Sequence, residues 1–196
     1  MTWGSGLNPD TRVVDAYPYK LAKLLDAEEL FDLSKPGESC QYVVRTTIDF
    51  FLERLDEDLS DYIVFLQMPN GLRFEWWNEG GWNNKMINNS DSKTIIDLFG
   101  NDMYECYNTL NSIMQVGSFL KENNIRYYIS TNGVDFKINN RIEYIETNYN
   151  ILGGSLINSR LAGEVPFKEV RIPGDGHYSE HGHTVVANNI CRYIND

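Results

Sequence analysis

Cysteine is scarce in this sequence of 196 residues, with three copies in all. Cys40, Cys106 and Cys191 are odd in number and widely spaced, so they fit neither a disulfide framework nor a zinc site. We expect reduced and mostly buried thiols. Cys40 follows a possible turn at a helix N-terminus, where a thiolate nucleophile is conceivable, but a small buried side chain is the favoured interpretation.

Basic residues are also in the minority, with 17 Lys and Arg against 28 Asp and Glu and a formal net charge of −11. Nucleic acids and anionic membranes both reward Lys and Arg, so neither is an expected partner. The sequence has no apolar run long enough to span a bilayer, and its first six residues lack the basic and apolar regions of a signal peptide. These features favour the cytoplasm, and the Asn-rich loops suggest a virus particle as the alternative location.

The pattern of apolar residues predicts a single α/β domain over residues 1–196. Helical spacing predicts helices over residues 15–30, 41–55, 104–122 and 184–194, and short apolar runs predict strands over residues 30–33, 62–66 and 125–130. Residues 132–159 are predicted to be irregular, with a short strand or helix. Because strands alternate with helices, we expect a three-layer α/β/α sandwich with a mainly parallel sheet.

A polar and aromatic tract within residues 70–100 is predicted to be a long loop inserted in this domain. It carries Arg73, Trp76, Trp77 and Trp82. Long loops in compact domains often bind ligands, and aromatic rings beside polar groups suit stacking on sugars or a protein contact. These four residues are therefore candidate substrate-binding residues. The alternative is a loop that folds back and buries its own aromatic rings.

All three histidines lie within seven residues of one another, on a Gly-rich turn and the helix predicted after it. Asp175 precedes His177 by two residues, which can place a carboxylate beside an imidazole. Such a carboxylate sets the tautomer of a catalytic histidine and stabilises the imidazolium. Asp175 and His177 are thus predicted to be a catalytic pair, the alternative being an ordinary surface turn.

The same three histidines could be considered as a metal site, since imidazole is a common zinc ligand. Ser179 has the character of a helix N-cap, however, which would place His181 and His183 on different faces of the first helical turn. We therefore expect no metal, and we expect His183 to be packed or hydrogen-bonded.

Taken in chain order, these residues resemble the blocks of the SGNH (GDSL-like) hydrolases. The last block of that family is an Asp and a His ahead of the final helix, often followed by Gly-His-x-x-x-Ala, and residues 175–177 and 182–187 match it. The resemblance implies a flavodoxin-like sandwich and a serine esterase that needs no cofactor. It also implies that the oxyanion is held by the backbone N–H of Gly37 and by a side-chain amide after the third strand, for which Asn70 is preferred and Gln67 is the alternative. The Gly that normally precedes this Asn is absent here.

The first block of the family, which carries the nucleophilic serine, is not matched in the same way. If Gly4 and the Tyr17-Pro18 pair are aligned with it, Met1 falls one position after that serine. Three explanations remain open: the natural protein is longer, the nucleophile has been lost, or Ser5 replaces it. A missing first strand would expose two strand edges, which a second copy or an assembly partner could cover.

The function that follows from the resemblance is hydrolysis of an ester, with acetyl groups on a carbohydrate as the preferred substrate. His177 would take the proton of the serine, and Asp175 would orient His177. The rival hypothesis is a catalytically inactive relative that binds carbohydrate or serves as a structural component of a larger assembly.

Overall fold

A computed structural model describes residues 12–35, 37–69, 71–87, 93–94, 97, 102–131, 139–152, 156, 165–173 and 177–195. The chain forms two compact units, Met1–Gly37 together with Arg160–Asp196, and Glu38–Ser159. The single domain expected over residues 1–196 remains a prediction. None of the helices in the described ranges is long and apolar enough to cross a membrane.

The second unit contains a small parallel sheet flanked by helices. Strand β1 (Ile63–Met68) pairs in parallel with β4 (Arg126–Thr131), in a register that runs from Ile63 opposite Arg126 to Met68 opposite Thr131. Ile129 also forms a parallel bridge with Ile151. The helices with described bounds in this unit include α3 (Cys40–Leu52), α4 (Asp102–Glu122) and α5 (Asn139–Asn148), and a short 3₁₀ helix lies at Leu59–Asp61. The predicted mixed α/β class is confirmed at this level.

Helix α4 supplies much of the core of this unit. Leu110, Ile113, Val116 and Leu120 recur at helical spacing and are fully buried. They belong to one apolar cluster with Ile129 of β4 and residues of α3 and α5. The predicted helix over residues 104–122 and the predicted strands over 62–66 and 125–130 are therefore confirmed within two residues at each end.

Several predicted boundaries are wrong. The helix predicted over residues 15–30 is α1 (Arg12–Asp15) followed by α2 (Tyr17–Leu24), and the chain leaves α2 at Asp26, whose φ of 52° is left-handed. Residues 29–35 have no regular secondary structure, so the strand predicted over 30–33 is absent there. Phe31 and Leu33 are exposed rather than packed in a sheet.

The tract that was predicted to be a long loop begins as a β-hairpin, and that prediction is wrong over residues 73–86. Strand β2 (Arg73–Asn78) pairs antiparallel with β3 (Gly81–Met86), and Trp77 lies opposite Trp82. Aromatic residues fit strands well, and Gly81, with a φ of 118°, adopts a conformation that favours glycine after the two-residue turn. Residues 88–92 lie outside the described part of the chain.

The first unit joins α1 and α2 to α6 (Phe167–Val170) and α7 (Glu180–Asn195), with α2 packed on α7. Val186, Ile190 and Ile194 form the buried side of α7. The predicted closing helix thus begins four residues earlier than residue 184. The reason is Ser179, whose Oγ accepts a hydrogen bond from Gly182 N at 3.0 Å and caps the helix as predicted.

Candidate functional site

The backbone of His177 is held by hydrogen bonds just before α7. Arg171 and Tyr178 form an antiparallel bridge, and Ile172 N donates to His177 O at 3.1 Å. Ser179 N donates to Val170 O at 2.9 Å, which is the next hydrogen bond between the same two segments. These contacts fasten His177 and the two residues after it to the end of α6 and the segment that follows. Asp175, its predicted partner, lies outside the described residues.

The side chain of Tyr178 packs against Arg171 of the paired segment. Its ring is buried, and the guanidinium carbon of Arg171 lies 3.8 Å from the ring centroid. Burial raises the pKa of Tyr178 and lowers the pKa of Arg171. A phenol is already protonated at neutral pH, and the raised pKa keeps Tyr178 uncharged to higher pH as well.

Tyr178 also packs against His183, with ring centroids 5.8 Å apart in an edge-to-face arrangement. Relative to the N-cap Ser179, Tyr178 precedes the helix and His183 is its fourth residue. This is the arrangement of a hydrophobic staple, which fixes the angle at which the chain enters a helix. Tyr178 was not predicted as part of the site, although an aromatic residue directly before an N-cap is the signal that could have found it.

Gly182 allows the first turn of α7 to pack directly on the end of α6. A Cβ at this position would collide with the carbonyl oxygen of Val170 and would lie 3.1 Å from Cδ1 of Tyr178. Only glycine fits without displacing backbone. The glycine of the Gly-His-x-x-x-Ala pattern therefore has a packing role in this chain.

His183 is fully buried and caps the N-terminus of α2. Its Nδ1 accepts a hydrogen bond from the backbone N–H of Tyr17 at 3.1 Å, where the N-cap residue Ala16 supplies no side-chain acceptor. With Nδ1 accepting, Nε2 carries the proton of the neutral ring, and it has no hydrogen-bond partner among the described residues. Burial lowers the pKa of His183 to about 4. The expectation that His183 is packed and hydrogen-bonded is confirmed.

The three histidines do not converge on one point. His181 is exposed, whereas His183, two residues along the same helix, is buried. Within the described ranges no group of three or more His, Cys, Asp or Glu side chains could hold a metal ion.

Among the predicted oxyanion donors, Gly37 is described and adopts a left-handed backbone with a φ of 83°. Its chain segment belongs to the first unit, as do the segments that carry Ser5, Asp175 and His177. Ser5 and Asn70 lie outside the described residues. The role of Gly37 as an oxyanion donor stays a prediction.

Cys40 is a packing residue rather than a nucleophile. It is fully buried at the start of α3, and its Sγ donates to the carbonyl oxygen of Pro69 at 3.3 Å. Burial raises its pKa to about 12. A thiol with such a pKa is not ionised near neutral pH, so the favoured interpretation of Cys40 as a buried side chain is confirmed.

The predicted substrate-binding residues lie on the β2–β3 hairpin of the second unit. Trp76, Trp77 and Trp82 are 40%, 64% and 50% exposed, whereas Arg73 is half-buried. The hairpin therefore does not fold back to bury its tryptophans. Sequence reasoning missed Arg45 of α3 and Glu75 of β2, which form a bidentate ion pair beside Trp82.

Comparison of the chain with protein-family models, with curated proteins and with solved structures gives no match in any of the three. The resemblance to the SGNH hydrolases therefore depends on the residues of the chain itself.

Proposed function

We propose that this protein is an SGNH-type ester hydrolase in which His177 is the general base. The observation that carries the proposal is the fastening of the His177 backbone immediately before α7, through the Ile172–His177 and Val170–Ser179 hydrogen bonds. A general base must be held in place so that its imidazole meets the nucleophile in a fixed orientation. Tyr178 and Gly182 add rigidity to the same segment.

In the proposed reaction a serine hydroxyl attacks the carbonyl carbon of the ester, and His177 takes the hydroxyl proton. Asp175 orients the imidazole, and the oxyanion accepts a hydrogen bond from Gly37 N–H. The protonated His177 then gives its proton to the departing alcohol, and water releases the acyl group in a second round of the same steps. The reaction uses no cofactor. The serine is Ser5 or a residue that precedes Met1 in a longer natural chain.

The proposed fold is the three-layer flavodoxin-like sandwich of the same family. Its support is the parallel β1–β4 pair flanked by helices, together with the parallel bridge between Ile129 of β4 and Ile151. In such sheets ligands bind at the carboxyl ends of the strands. The carboxyl end of β1 leads directly to residue 70, where the third block of the family carries its oxyanion amide.

The proposal is tested by hydrolysis of p-nitrophenyl acetate. The 196-residue chain and a chain extended by the upstream in-frame codons would each be assayed, alone and with His177→Ala. We expect His177→Ala to lower the rate about 10²- to 10⁴-fold, the usual contribution of a positioned general base. Ser5→Ala in the shorter chain identifies which serine attacks.

His181→Ala is the matched control, because it removes an exposed imidazole from the adjacent helical turn. This variant should retain the parent rate. Hydrolysis that is absent from both chain lengths, or that survives His177→Ala unchanged, would overturn the proposal. The inactive, carbohydrate-binding or structural relative would then be the better description of the protein.

A further inference from the structure

The β2–β3 hairpin, residues 73–86, carries three of the four tryptophans of the chain at exposed positions. We propose that this aromatic hairpin is a binding site for a neutral glycan. The inference does not rest on the proposed hydrolase activity, since it concerns the second unit alone.

Trp77 and Trp82 form the most exposed part of the aromatic hairpin. They lie directly opposite each other in the antiparallel register, and their ring centroids are 5.5 Å apart with an interplanar angle of 76°. Edge-to-face packing lets one ring support the other, and Trp77 remains 64% exposed. A flat, exposed indole of this kind suits the C–H face of a sugar ring.

Arg45 holds Trp82 in place from the side of α3. Its guanidinium carbon lies 4.7 Å from the centroid of the Trp82 ring, and its Nη2 and Nε donate to Glu75 at 2.8 and 3.1 Å. The Glu75 side chain is only 3% exposed and that of Arg45 is 25% exposed, so the ion pair is partly shielded from water. An aromatic ring that is already ordered loses little conformational freedom when a ligand stacks on it.

Trp76, Asn78 and Asn83 alternate with Trp77 and Trp82 along the two strands, so they form the other face of the aromatic hairpin. Trp76 is opposite Asn83 in the register and tilts against Phe74, with ring centroids 5.5 Å apart. Asn78 is exposed at the end of β2, where its Oδ1 accepts a hydrogen bond from Gly80 N. Amides at the border of aromatic rings can donate to and accept from hydroxyl groups, which are the polar edge of a sugar.

The formal charge of the aromatic hairpin favours a neutral partner over a polyanionic one. Arg73 and Lys85 balance Glu75 and Glu79, so its formal charges sum to zero in a chain of net charge −11. A polyanionic partner would gain no local attraction and would be repelled by the rest of the chain. A neutral glycan needs no charge partner, and it presents both the apolar ring face and the hydroxyls that these residues complement.

The test is retention of the 196-residue chain on an array of immobilised neutral glycans that covers hexoses, N-acetylhexosamines, deoxyhexoses and pentoses. We expect the chain to bind at least one class, and Trp77→Ala to weaken that binding by about fivefold or more. Tyr144→Ala is the matched control, because Tyr144 is a half-exposed aromatic residue of α5 away from the hairpin strands. Circular dichroism establishes that both variants fold.

A chain that binds no neutral glycan overturns the proposal, as does binding that Trp77→Ala and Tyr144→Ala affect equally. Sedimentation equilibrium tests whether a second copy of the chain binds this surface instead. Self-association that disappears in Trp77→Ala, without retention on the array, would show a protein interface in place of a glycan site. Neither the hydrolase assay nor its outcome enters this test, because p-nitrophenyl acetate contains no sugar.

Discussion

Burial determines the protonation state of His183. The ring is fully buried, the rings of Tyr17 and Tyr178 lie against it, and Asp15, Lys20 and Arg171 are among the charged groups around it. Desolvation of the imidazolium is the largest contribution to the lowered pKa, and the nearby cations Lys20 and Arg171 act in the same direction. The neutral ring is the form that can accept the Tyr17 N–H at Nδ1.

A pH dependence of stability follows from this residue. An unfolded histidine has a pKa near 6.5, and the folded pKa is about 4, so between these values the unfolded chain binds a proton that the folded chain does not. The free energy of unfolding should therefore fall by roughly 2–3 kcal/mol as the pH drops from 6.5 to 4. In urea titrations, His183→Asn should remove this part of the pH dependence, because asparagine can accept the Tyr17 N–H and does not titrate.

His181→Asn provides the comparison for that experiment, since His181 is exposed on the same helix. Its pH profile should follow that of the parent chain, including the contributions of the carboxylates. If His183→Asn and the parent lose stability in parallel between pH 6.5 and 4, the buried imidazole is not the group responsible.

At the scale of secondary-structure elements, the contact between α6 and α7 is possible because Gly182 has no side chain. Val170 O accepts from Ser179 N, and the first turn of α7 brings Gly182 against the same carbonyl. This close approach holds Ser179, two residues after His177, against the end of α6. A substitution at Gly182 therefore measures how much this contact contributes to the stability of the protein.

We expect Gly182→Ala to destabilise the protein by about 1–3 kcal/mol, the usual cost of forcing an extra methyl group into a packed interior. Gly80→Ala is the matched control, because a Cβ there would meet only Asn78 Oδ1 at 3.5 Å. Thermal unfolding of Gly182→Ala and Gly80→Ala gives the two melting temperatures to be compared. Equal melting temperatures for both variants would contradict the close packing of α7 on Val170.

At the scale of the whole molecule, an excess of 11 negative charges opposes compaction of the chain. Mobile ions screen this repulsion over a distance of about 10 Å at 0.1 M salt. We expect the melting temperature to rise by several degrees between 10 mM and 200 mM NaCl, as the self-repulsion of the folded chain weakens. Repeating the scan at a pH near 5, where the net charge is smaller, should shrink the effect. A melting temperature that falls with salt would show that attractive ion pairs outweigh the repulsion.

Local signals in the sequence were enough to predict several elements. The helical spacing of apolar residues located α4, the apolar runs located β1 and β4, and Ser179 was recognised as an N-cap. These features depend on residues within one or two helical turns of each other. The strand predicted over residues 30–33 is absent and Phe31 and Leu33 are exposed, because burial depends on tertiary packing that the local apolar pattern does not reveal.

The sequence by itself determined the charge, the α/β class and the clustering of the histidines around one helix N-terminus. Only the tertiary structure decided that His183 is a neutral cap for α2, because its partner Tyr17 lies 166 residues away in the chain. It also decided that the tryptophans of residues 73–86 are displayed on a hairpin, with Arg45 and Glu75 bracing Trp82. Burial and long-range contact set those properties, and both depend on how distant segments pack rather than on the residues alone.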